Sequence, residues 1–572
     1  MVYIPPLKPL GSILTIDKSD GRYVARINEE VVLADGARIR LNVFLPVTGG
    51  PKWPVLLTST PYGKDVNYHR AKVYEHGSIT VTGEHVCEHI AFEAPSPSYW
   101  CPRGYVVVIW DHRGTGQSPG YLEIWNSEHF DDHAQVVEWA ADQPWSTGKV
   151  GLSGISYLGS NQWPTAARRP RGLAAICPWE GFGEFYRETT RRGGIASSFF
   201  RTWYPAQVIP IQYGSRNREQ NTFGPTAPEG ELTEEQLREN REDVLAIVSD
   251  SANEFMDDEY YQGRMVHEDY SKIEVPLLSA GNWGGLNLHL RGNVISYLRA
   301  GSKLKFLRIH TGRHVVDTPF YTSPYIDMQL SFFDCFLKGD DYDGWKSGKQ
   351  PPVRFSVRRG MAPMGTLNES EVFPWRDERE WPPAQTRYEK FYLHADQSLG
   401  TCKPSSEGTL SYQGLTGDGF KFATVPANEE YEICGHPSTR LSISLSGHQG
   451  KAEADIDVYV ALRKLDKSGK EQWFASSIGT PTPVTFGWIR ASHRTLNPKP
   501  YPELAEGALS FPVLSHKRGD KKDVKNGEIY QLDFELWPTD LVVEKGETLI
   551  FEVTAKDPEG VAWFGANEAA DR

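Results

Sequence analysis

The stretch from Lys149 to Gly159 constrains the fold more than any other part of the sequence. It reads Lys-Val-Gly-Leu-Ser-Gly-Ile-Ser-Tyr-Leu-Gly, an apolar run that ends at Gly154 and is followed two residues later by Ser156. A glycine two positions before a serine, between an apolar strand and a helical segment, is typical of a strained turn that exposes a nucleophilic serine. The second glycine comes late, at Gly159, so the pattern is G-x-S-x-x-G. The same tripeptide also occurs in ordinary loops, so the surrounding elements must decide.

The segments around this turn alternate between strands and helices. Apolar strands are predicted at 54–60, 104–110, 172–178, 273–281 and 304–310, with helical segments at 131–141, 161–169, 292–300 and 328–337. Strands that are apolar throughout, without alternation, indicate a parallel sheet that is covered on both faces. The predicted fold class is therefore α/β, which is the context that a nucleophile turn requires.

Changes in this alternation of strands and helices divide the chain into four segments. Residues 1–179 and 266–350 form the first and second parts of the α/β domain, and residues 180–265, rich in arginine, glutamate and aromatic residues, are predicted to be a helical cap inserted between them. From 351 to 572 helical periodicity nearly disappears, and short β-rich runs alternate with turns. Such a pattern predicts a C-terminal β-sandwich domain.

The composition argues against several classes of function. The net charge is −13 and no stretch is densely basic, so nucleic acid is not an expected partner. No apolar run is long enough to cross a membrane, and the N-terminus lacks the pattern of a signal peptide. The six cysteines are sparse and include no C-x-x-C pair, as expected of reduced thiols in a cytoplasmic protein. We expect a small-molecule substrate, no membrane partner, no cofactor and no metal, and we leave a homo-oligomer open.

A nucleophilic serine needs a base, and in a sheet of this kind the histidine follows the last strand. His310 and His314 both fit this position. His310 stands at the strand end itself, where packing or hydrogen bonding is the expected role. His314 lies beyond Gly312 and is better placed to reach over the sheet edge, so it is the predicted base.

The acid that orients the histidine is harder to place. The turn after the 273–281 strand, its usual position, contains no carboxylate. Glu180 ends the strand before it and is the predicted acid, although a pairing with a nearby arginine would also explain a glutamate there. Asn282 and Asn287 remain as neutral orienting groups.

The negative charge of an acyl-transfer transition state needs two hydrogen-bond donors. The backbone N–H of Tyr157, directly after the serine, is one. The hydroxyl of Tyr62, just beyond the 54–60 strand, is the predicted second donor, although a tyrosine in a Pro-Tyr-Gly turn has a simple structural explanation too. Trp179 and Trp283 are predicted to bind a substrate that is apolar or aromatic, unless these rings pack the domain interface instead.

Several motifs together carry a resemblance to a known family. They are Pro-Tyr-Gly-Lys at 61–64, Asp-His-Arg-Gly-Thr-Gly-Gln-Ser at 111–118, Gly-Ile-Ser-Tyr-Leu-Gly at 154–159, Phe-Phe-Asp-Cys-Phe-Leu-Lys-Gly at 332–339 and Ala-Asp-Ile-Asp-Val-Tyr-Val at 454–460. The chain resembles, over nearly its whole length, the family of cocaine esterase, α-amino acid ester hydrolases and X-Pro dipeptidyl-peptidases.

The resemblance implies an α/β-hydrolase domain with an inserted helical cap, followed by a C-terminal jelly roll. It also implies Ser156 as nucleophile, His314 as base, and an oxyanion hole made by the Tyr62 hydroxyl and the Tyr157 N–H. The sequence departs from the family at one point, because Gly-Asn-Trp-Gly-Gly at 281–285 replaces the usual Gly-Trp-Tyr-Asp and removes the usual acid.

Two functions from different classes follow. The first is a serine hydrolase that cleaves an ester, or less readily an amide, through an acyl-enzyme. The second is a protein of the same fold with a non-hydrolytic role in small-molecule metabolism, such as acyl transfer, cyclisation or ligand binding. The missing aspartate favours the second function, and the retained Ser156, His314 and Tyr62 favour the first.

Overall fold

The computed structural model describes residues 14–67, 81, 83–214, 232–246, 253–265, 268–314, 319–360, 373–448, 454–505 and 507–558. The strands up to residue 378 are β1 Thr15–Asp17, β2 Tyr23–Val32, β3 Arg38–Pro46, β4 Trp53–Thr60, β5 Val106–Asp111, β6 Ser146–Ile155, β7 Leu173–Trp179, β8 Arg191–Arg192, β9 Ile195–Ala196, β10 Leu277–Asn282, β11 Lys305–His310, β12 Val353–Ser356 and β13 Trp375–Glu378. Among the described residues, eleven of them form one sheet in the order β1-β2-β3-β5-β4-β6-β7-β10-β11-β12-β13.

The middle of this sheet is parallel. Each neighbouring pair from β5 through β4, β6, β7, β10 and β11 to β12 runs in the same direction, and β1 to β3 and β13 are antiparallel additions at the two sides. Every residue of β5 and β10 is buried. Strands that are covered on both faces are mostly apolar, which explains the apolar run at 106–110 in β5 and the start of β10 at Leu277 and Leu278.

The α-helices cover the sheet and line its ends. They are α1 Pro97–Trp100, α2 Ser127–Asp142, α3 Tyr157–Ser160, α4 Gln162–Ala167, α5 Phe199–Trp203, α6 Glu234–Leu245, α7 Leu290–Arg299 and α8 Tyr325–Phe333, with π-helical turns at Tyr186–Thr190, Tyr204–Val208 and Asp334–Lys338. Helix α6 starts at a capping box, in which Thr233 and Gln236 exchange side-chain to backbone hydrogen bonds and so satisfy two free N–H groups. Among the described residues, no helix combines the length and apolar character that a membrane crossing needs.

The described residues between β7 and β10 add no strand to the central sheet. They contain the β8–β9 hairpin, α5 and α6. The indole of Trp203, in α5, stacks on Trp125 with ring centroids 5.2 Å apart, and its Nε1 donates a hydrogen bond to the Tyr62 hydroxyl at 3.1 Å. These contacts fasten the inserted segment to the loops at the carboxyl ends of the parallel strands.

The remaining strands form the C-terminal β-rich domain. They are β14 Tyr392–Leu393, β15 Leu399–Gly400, β16 Phe420–Ala423, β17 Tyr431–Gly435, β18 Ser438–Ser444, β19 Asp457–Leu465, β20 Glu471–Gln472, β21 Phe474–Ala475, β22 Pro481–Thr482, β23 Thr485–Arg490, β24 Ile529–Glu535, β25 Thr539–Val543 and β26 Thr548–Thr554. Antiparallel pairs such as β19 with β26 and β18 with β24 surround a separate apolar core. This arrangement is the predicted sandwich.

One predicted strand belongs to a different domain. Everything from residue 351 onward is predicted to belong to the sandwich, including the β-rich run at 353–357, but the structure pairs β12 in parallel with β11, with Val353 opposite Leu307. Strand β13 then pairs with it in antiparallel fashion. A short apolar strand looks the same in either sheet, and the helical rhythm that marks parallel strands had already ended. The assignment of this strand to the sandwich is therefore wrong.

A buried ion network holds the two domains together. Arg291, in α7, is 1% exposed and contacts Glu184 and Glu188 at 2.8 Å each, and its Nε donates to Glu535 of β24, also at 2.8 Å. The Tyr501 hydroxyl donates to Glu184 at 2.6 Å. Charged groups that are buried away from water are stable only while each contacts a group of opposite charge.

Replacing Arg291 with methionine should therefore destabilise the protein strongly. The variant would leave Glu188 buried without its counter-ion and Glu184 with Arg187 alone, a loss of about 3–5 kcal/mol of unfolding free energy that urea denaturation would measure. Arg171→Met is the matched control, because the pair between Arg171 and Asp142 is exposed to solvent and its loss should change the stability little. Equal losses in the two variants would show that the network does not hold the domains.

Candidate active site

Ser156 lies at a strained turn between β6 and α3. Its backbone angles are φ 57° and ψ −115°, which a residue with a side chain rarely adopts. Its N–H donates to Trp179 O on β7 at 2.9 Å, and the N–H of the preceding Ile155 donates to Glu93 O at 3.1 Å. Backbone on both sides thus holds the serine in this conformation, with its side chain half-buried.

The two glycines around the serine allow this close packing. A Cβ added to Gly154 would lie 2.5 Å from the Leu158 Cβ, and one added to Gly159 would lie 2.6 Å from Trp179 O. The second small residue is therefore required three positions after Ser156, where α3 passes over β7. This explains the G-x-S-x-x-G spacing in physical terms.

The hydroxyl of Ser156 contacts a histidine that the sequence did not single out. Ser156 Oγ is 3.1 Å from His289 Nε2. His289 is the residue before α7, in the turn that follows β10. The contact predicted between Ser156 and His314 is replaced by this one, so the candidate base changes from His314 to His289. The missed signal was simple, because His289 is the only titratable side chain between Gly281 and Leu290.

His314 lies between two buried carboxylates. Its Nδ1 is 2.9 Å from Glu180 Oε2, the contact that the sequence predicted, and its Nε2 is 3.3 Å from Glu93 Oε1. Its ring stacks on that of His289 with centroids 4.7 Å apart. Glu180 also lies near His310, whose Nε2 is 3.5 Å from Oε1. The two carboxylates therefore contact His314, whereas the serine contacts His289.

The surroundings shift the pKa values of the two stacked histidines in opposite directions. Burial and the neighbouring charge of His314 lower the pKa of His289 well below its usual value. Burial opposes a charge on His314 as well, but Glu180 and then Glu93 outweigh it and raise the pKa of His314 to about 10. At neutral pH, His314 is therefore an imidazolium and His289 is a neutral imidazole that can accept a proton.

The two carboxylates differ in acidity. Burial raises the pKa of Glu93, and the contact with His314 only partly opposes this. For Glu180 burial acts in the same direction, but His314, His310 and Asn282 more than offset it and lower the pKa. Both glutamates have φ in the left-handed region, 61° at Glu93 and 42° at Glu180. Such backbone strain is concentrated at functional sites in many proteins.

Asn282 supports the acid without contacting the imidazole of His314. Its Nδ2 donates to Gly312 O at 2.7 Å and lies 3.4 Å from Glu180 Oε2, and its Oδ1 accepts from Gly284 N at 2.8 Å. Asn287 accepts a hydrogen bond from Arg192 through its backbone oxygen. The neutral residues considered as orienting groups therefore act on the loops around the site.

Tyr62 and Tyr157 stand next to each other at this edge of the sheet. Their ring centroids are 6.1 Å apart, and Tyr62 also packs edge-on against Phe92 at 4.9 Å. The N–H of Tyr157 is the first of α3, a position that has no acceptor within its own helix. The Tyr62 hydroxyl accepts a hydrogen bond from Trp203 Nε1 at 3.1 Å, and this contact does not use the hydrogen of the hydroxyl itself.

Trp179 and Trp283 are both packed into the protein interior. Trp179 is fully buried, and its ring packs against His310, Phe320 and Tyr325. Trp283 is 1% exposed, and its Nε1 donates to Ser356 O at 2.8 Å. Both side chains are thus almost fully enclosed by other residues of the protein, and their predicted contact with substrate stays a prediction.

Three of these side chains could in principle bind a metal. Ligand atoms of Glu180, His289 and His314 lie within 4.8 Å of one another. Both ring nitrogens of His314 already face carboxylate oxygens, however, and a histidine in that position carries hydrogens on both nitrogens. The hydrogen bonds thus account for this cluster.

A serine on a strained strand-to-helix turn, in contact with a histidine at the carboxyl edge of a parallel sheet, defines the class of protein. The chain is an enzyme with the α/β-hydrolase fold and a serine nucleophile turn. Its sequence matches the X-Pro dipeptidyl-peptidase (S15 family) model over residues 35–316 and the X-Pro dipeptidyl-peptidase C-terminal non-catalytic domain over residues 344–569. The chain therefore carries the two domains of this family.

Individual relatives agree with this assignment. The crystal structure of a CocE/NonD family hydrolase from Staphylococcus aureus is 26% identical, with a TM-score of 0.76 over 96% of this chain and 89% of that one. Cocaine esterase from a Rhodococcus species is 27% identical over 68% of this chain and 66% of its own length. An α-amino acid ester hydrolase, at 16% identity and a TM-score of 0.65, shares the fold over 97% of this chain and 92% of that one.

The protonated His314 should make stability depend on pH. Below pH 6.5 His314 is protonated in the folded and the unfolded chain, and its contribution is complete. As pH rises toward about 10 only the folded chain keeps the proton, so this contribution declines and is lost above that pH. Urea unfolding of the wild type and of His314→Gln should give a difference that shrinks between pH 7 and pH 10. A constant difference would contradict the double ion pair.

Proposed function

We propose that the chain cleaves carboxylic esters of small molecules through an acyl-enzyme on Ser156. The observation that carries this proposal is the 3.1 Å contact between Ser156 Oγ and the neutral imidazole of His289, at a turn that strains the serine backbone. The likeness to cocaine esterase supports an ester as substrate. Peptide cleavage remains the alternative, since the family model takes its name from an X-Pro dipeptidyl-peptidase.

The first half of the reaction uses the serine and the histidine together. Ser156 Oγ attacks the ester carbonyl carbon while its hydrogen moves to His289 Nε2, and the carbonyl oxygen takes the negative charge. The tetrahedral intermediate then collapses. The bond to the alcohol oxygen breaks, His289 returns its proton to that oxygen, and the acyl group stays on Ser156.

The second half repeats these steps with water as the nucleophile. His289 takes a proton from water, which attacks the acyl carbonyl, and Ser156 leaves with that proton. In both halves we propose the Tyr62 hydroxyl and the Tyr157 N–H as donors to the oxyanion. Their position beside the turn supports this assignment, because donors fixed before the reaction need no reorganisation as charge develops.

The acid of the site is proposed to act through a second histidine. Glu180 contacts His314, and His314 stacks on His289.

Aromatic side chains near the serine, including Tyr62, Phe92 and Trp203, support an apolar or aromatic acyl or alcohol group in the substrate. A cytoplasmic location is supported by the six cysteines, all of which are free thiols.

Replacing Ser156 with alanine should abolish ester hydrolysis without changing the fold. We expect kcat for a p-nitrophenyl ester to fall by roughly 10⁴-fold or more, and labelling by a fluorophosphonate to disappear. Ser153→Ala is the matched control, because Ser153 is buried in β6 three residues earlier and should leave labelling intact. A wild-type chain that is not labelled at Ser156 would favour the non-hydrolytic function.

Replacing Tyr62 with phenylalanine should act on turnover and spare substrate binding. One lost oxyanion donor lowers kcat by about 10²–10³-fold, with KM nearly unchanged, because the charge exists only in the transition state. Tyr105→Phe removes another buried phenol, which bonds Asp334 outside the site, and should leave kcat unaffected. A raised KM with normal kcat would make Tyr62 a substrate contact instead.

A further inference from the structure

The geometry points to Glu93 as a positioning residue of the acid–base unit, which supplies the second negative charge that lets His289 take a proton. This inference rests on the proposed function, in which His289 is the base of Ser156. Glu93 comes from the loop before α1, far in sequence from both histidines. Its Oε1 is 3.3 Å from His314 Nε2, and its backbone oxygen accepts from Ile155 N, next to the nucleophile.

The position of His314 creates an electrostatic problem that Glu93 solves. An imidazole between two carboxylates is a cation, and this cation stacks on His289 at 4.7 Å. When Ser156 gives its proton to His289, a second imidazolium forms directly beside the first. In a buried site, two neighbouring cations with one carboxylate would be strongly disfavoured.

The second carboxylate restores the charge balance of an ordinary catalytic triad. Glu93, Glu180 and His314 together carry one net negative charge while His289 is neutral, and the cluster becomes neutral when His289 accepts the proton. A single aspartate with a single histidine makes the same change. This net charge is the same whether the proton between Glu93 and His314 is bound to the carboxylate or to the imidazole. Glu93, Glu180 and His314 together thus supply the net negative charge of the one missing carboxylate.

The surroundings of Glu93 leave His314 as its charge partner. Glu93 is 3% exposed, and among the residues that the structure describes its Oε2 has no hydrogen-bond partner. Within the part of the chain that the structure describes, the other titratable groups facing the cluster are His310, beside Glu180, and Tyr321, whose hydroxyl donates to Ala94 O at 2.7 Å. Burial lowers the pKa of His310 and raises that of Tyr321, so both are neutral and leave the charge count unchanged.

Glu93 also determines which histidine meets the serine. In a conventional triad, the nitrogen of His314 that is not bound to the acid would face the nucleophile. Here that nitrogen is engaged by Glu93, and His289 occupies the position on Ser156 Oγ. The same carboxylate therefore holds His314 away from the serine and compensates for the charge that forms on His289.

The test is the pH dependence of kcat/KM for p-nitrophenyl acetate in Glu93→Gln. Losing a negative charge makes protonated His289 less favourable, so we expect kcat to fall at least about tenfold and the acid limb of the profile to move to lower pH. KM should change little. Glu93→Asp keeps the charge and tolerates the left-handed backbone, so it should recover much of kcat and the wild-type limb.

Glu254→Gln is the matched control. Glu254 lies 3.4 Å from His493 Nε2, outside the site, and its loss should leave the profile unchanged. A wild-type acid limb in Glu93→Gln, or a profile in Glu93→Asp that matches the glutamine variant, would overturn the inference. If neither variant folds, the wild type still decides, because activity that rises steadily up to pH 10 would identify His314 as the base.

Fluorophosphonate labelling separates a failure of this inference from a failure of the proposed function. If the wild type is not labelled at Ser156, the proposed function fails, and the role of Glu93 fails with it. If Ser156 is labelled and the ester is hydrolysed, but Glu93→Gln keeps the wild-type rate and profile, the role of Glu93 alone is refuted.

Discussion

The alignment of four neighbouring parallel strands is the constraint on which the rest of the site depends. In β6 and β7 Ile155 pairs with Trp179, in β7 and β10 Trp179 pairs with Ala280, and in β10 and β11 Asn282 pairs with His310. The strands therefore end nearly level. The residues that follow, which include Ser156, Glu180, His289 and His314, must leave the sheet at one edge, as parallel α/β sheets require of their functional groups.

The site residues that stand directly at the strand ends could be predicted from the sequence. Ser156 and Glu180 follow directly from strands whose apolar runs are visible, so the turn and the acid could both be placed by counting from the strand ends. The contacts that His289 and Glu93 make could not be counted in this way, because each contact depends on the path of a loop that has no periodicity. The strand at Val353 was misassigned for a related reason, since pairing partners of a short apolar strand are a tertiary property that its sequence does not encode.

Two buried charge clusters serve different purposes in this fold. Around Arg291, acids and bases are paired across the domain boundary, and the cost of desolvation is offset by contacts with Glu184, Glu188 and Glu535. Around His314 the two carboxylates flank a cation that can titrate, and the neutral imidazole of His289 lies directly beside this cluster. The first arrangement stabilises one structure, and the second keeps a site ready to accept a proton.

The position of the acid is therefore less constrained than the motif of the family suggests. What the base requires is a compensating charge and a fixed ring orientation, and either can be transmitted through a neighbouring ring. Here the aspartate after β10 is absent, a histidine stands in the same turn, and the carboxylates come from β7 and from the loop before α1. An acid can move along the edge of a sheet in this way as long as the net charge around the base is preserved.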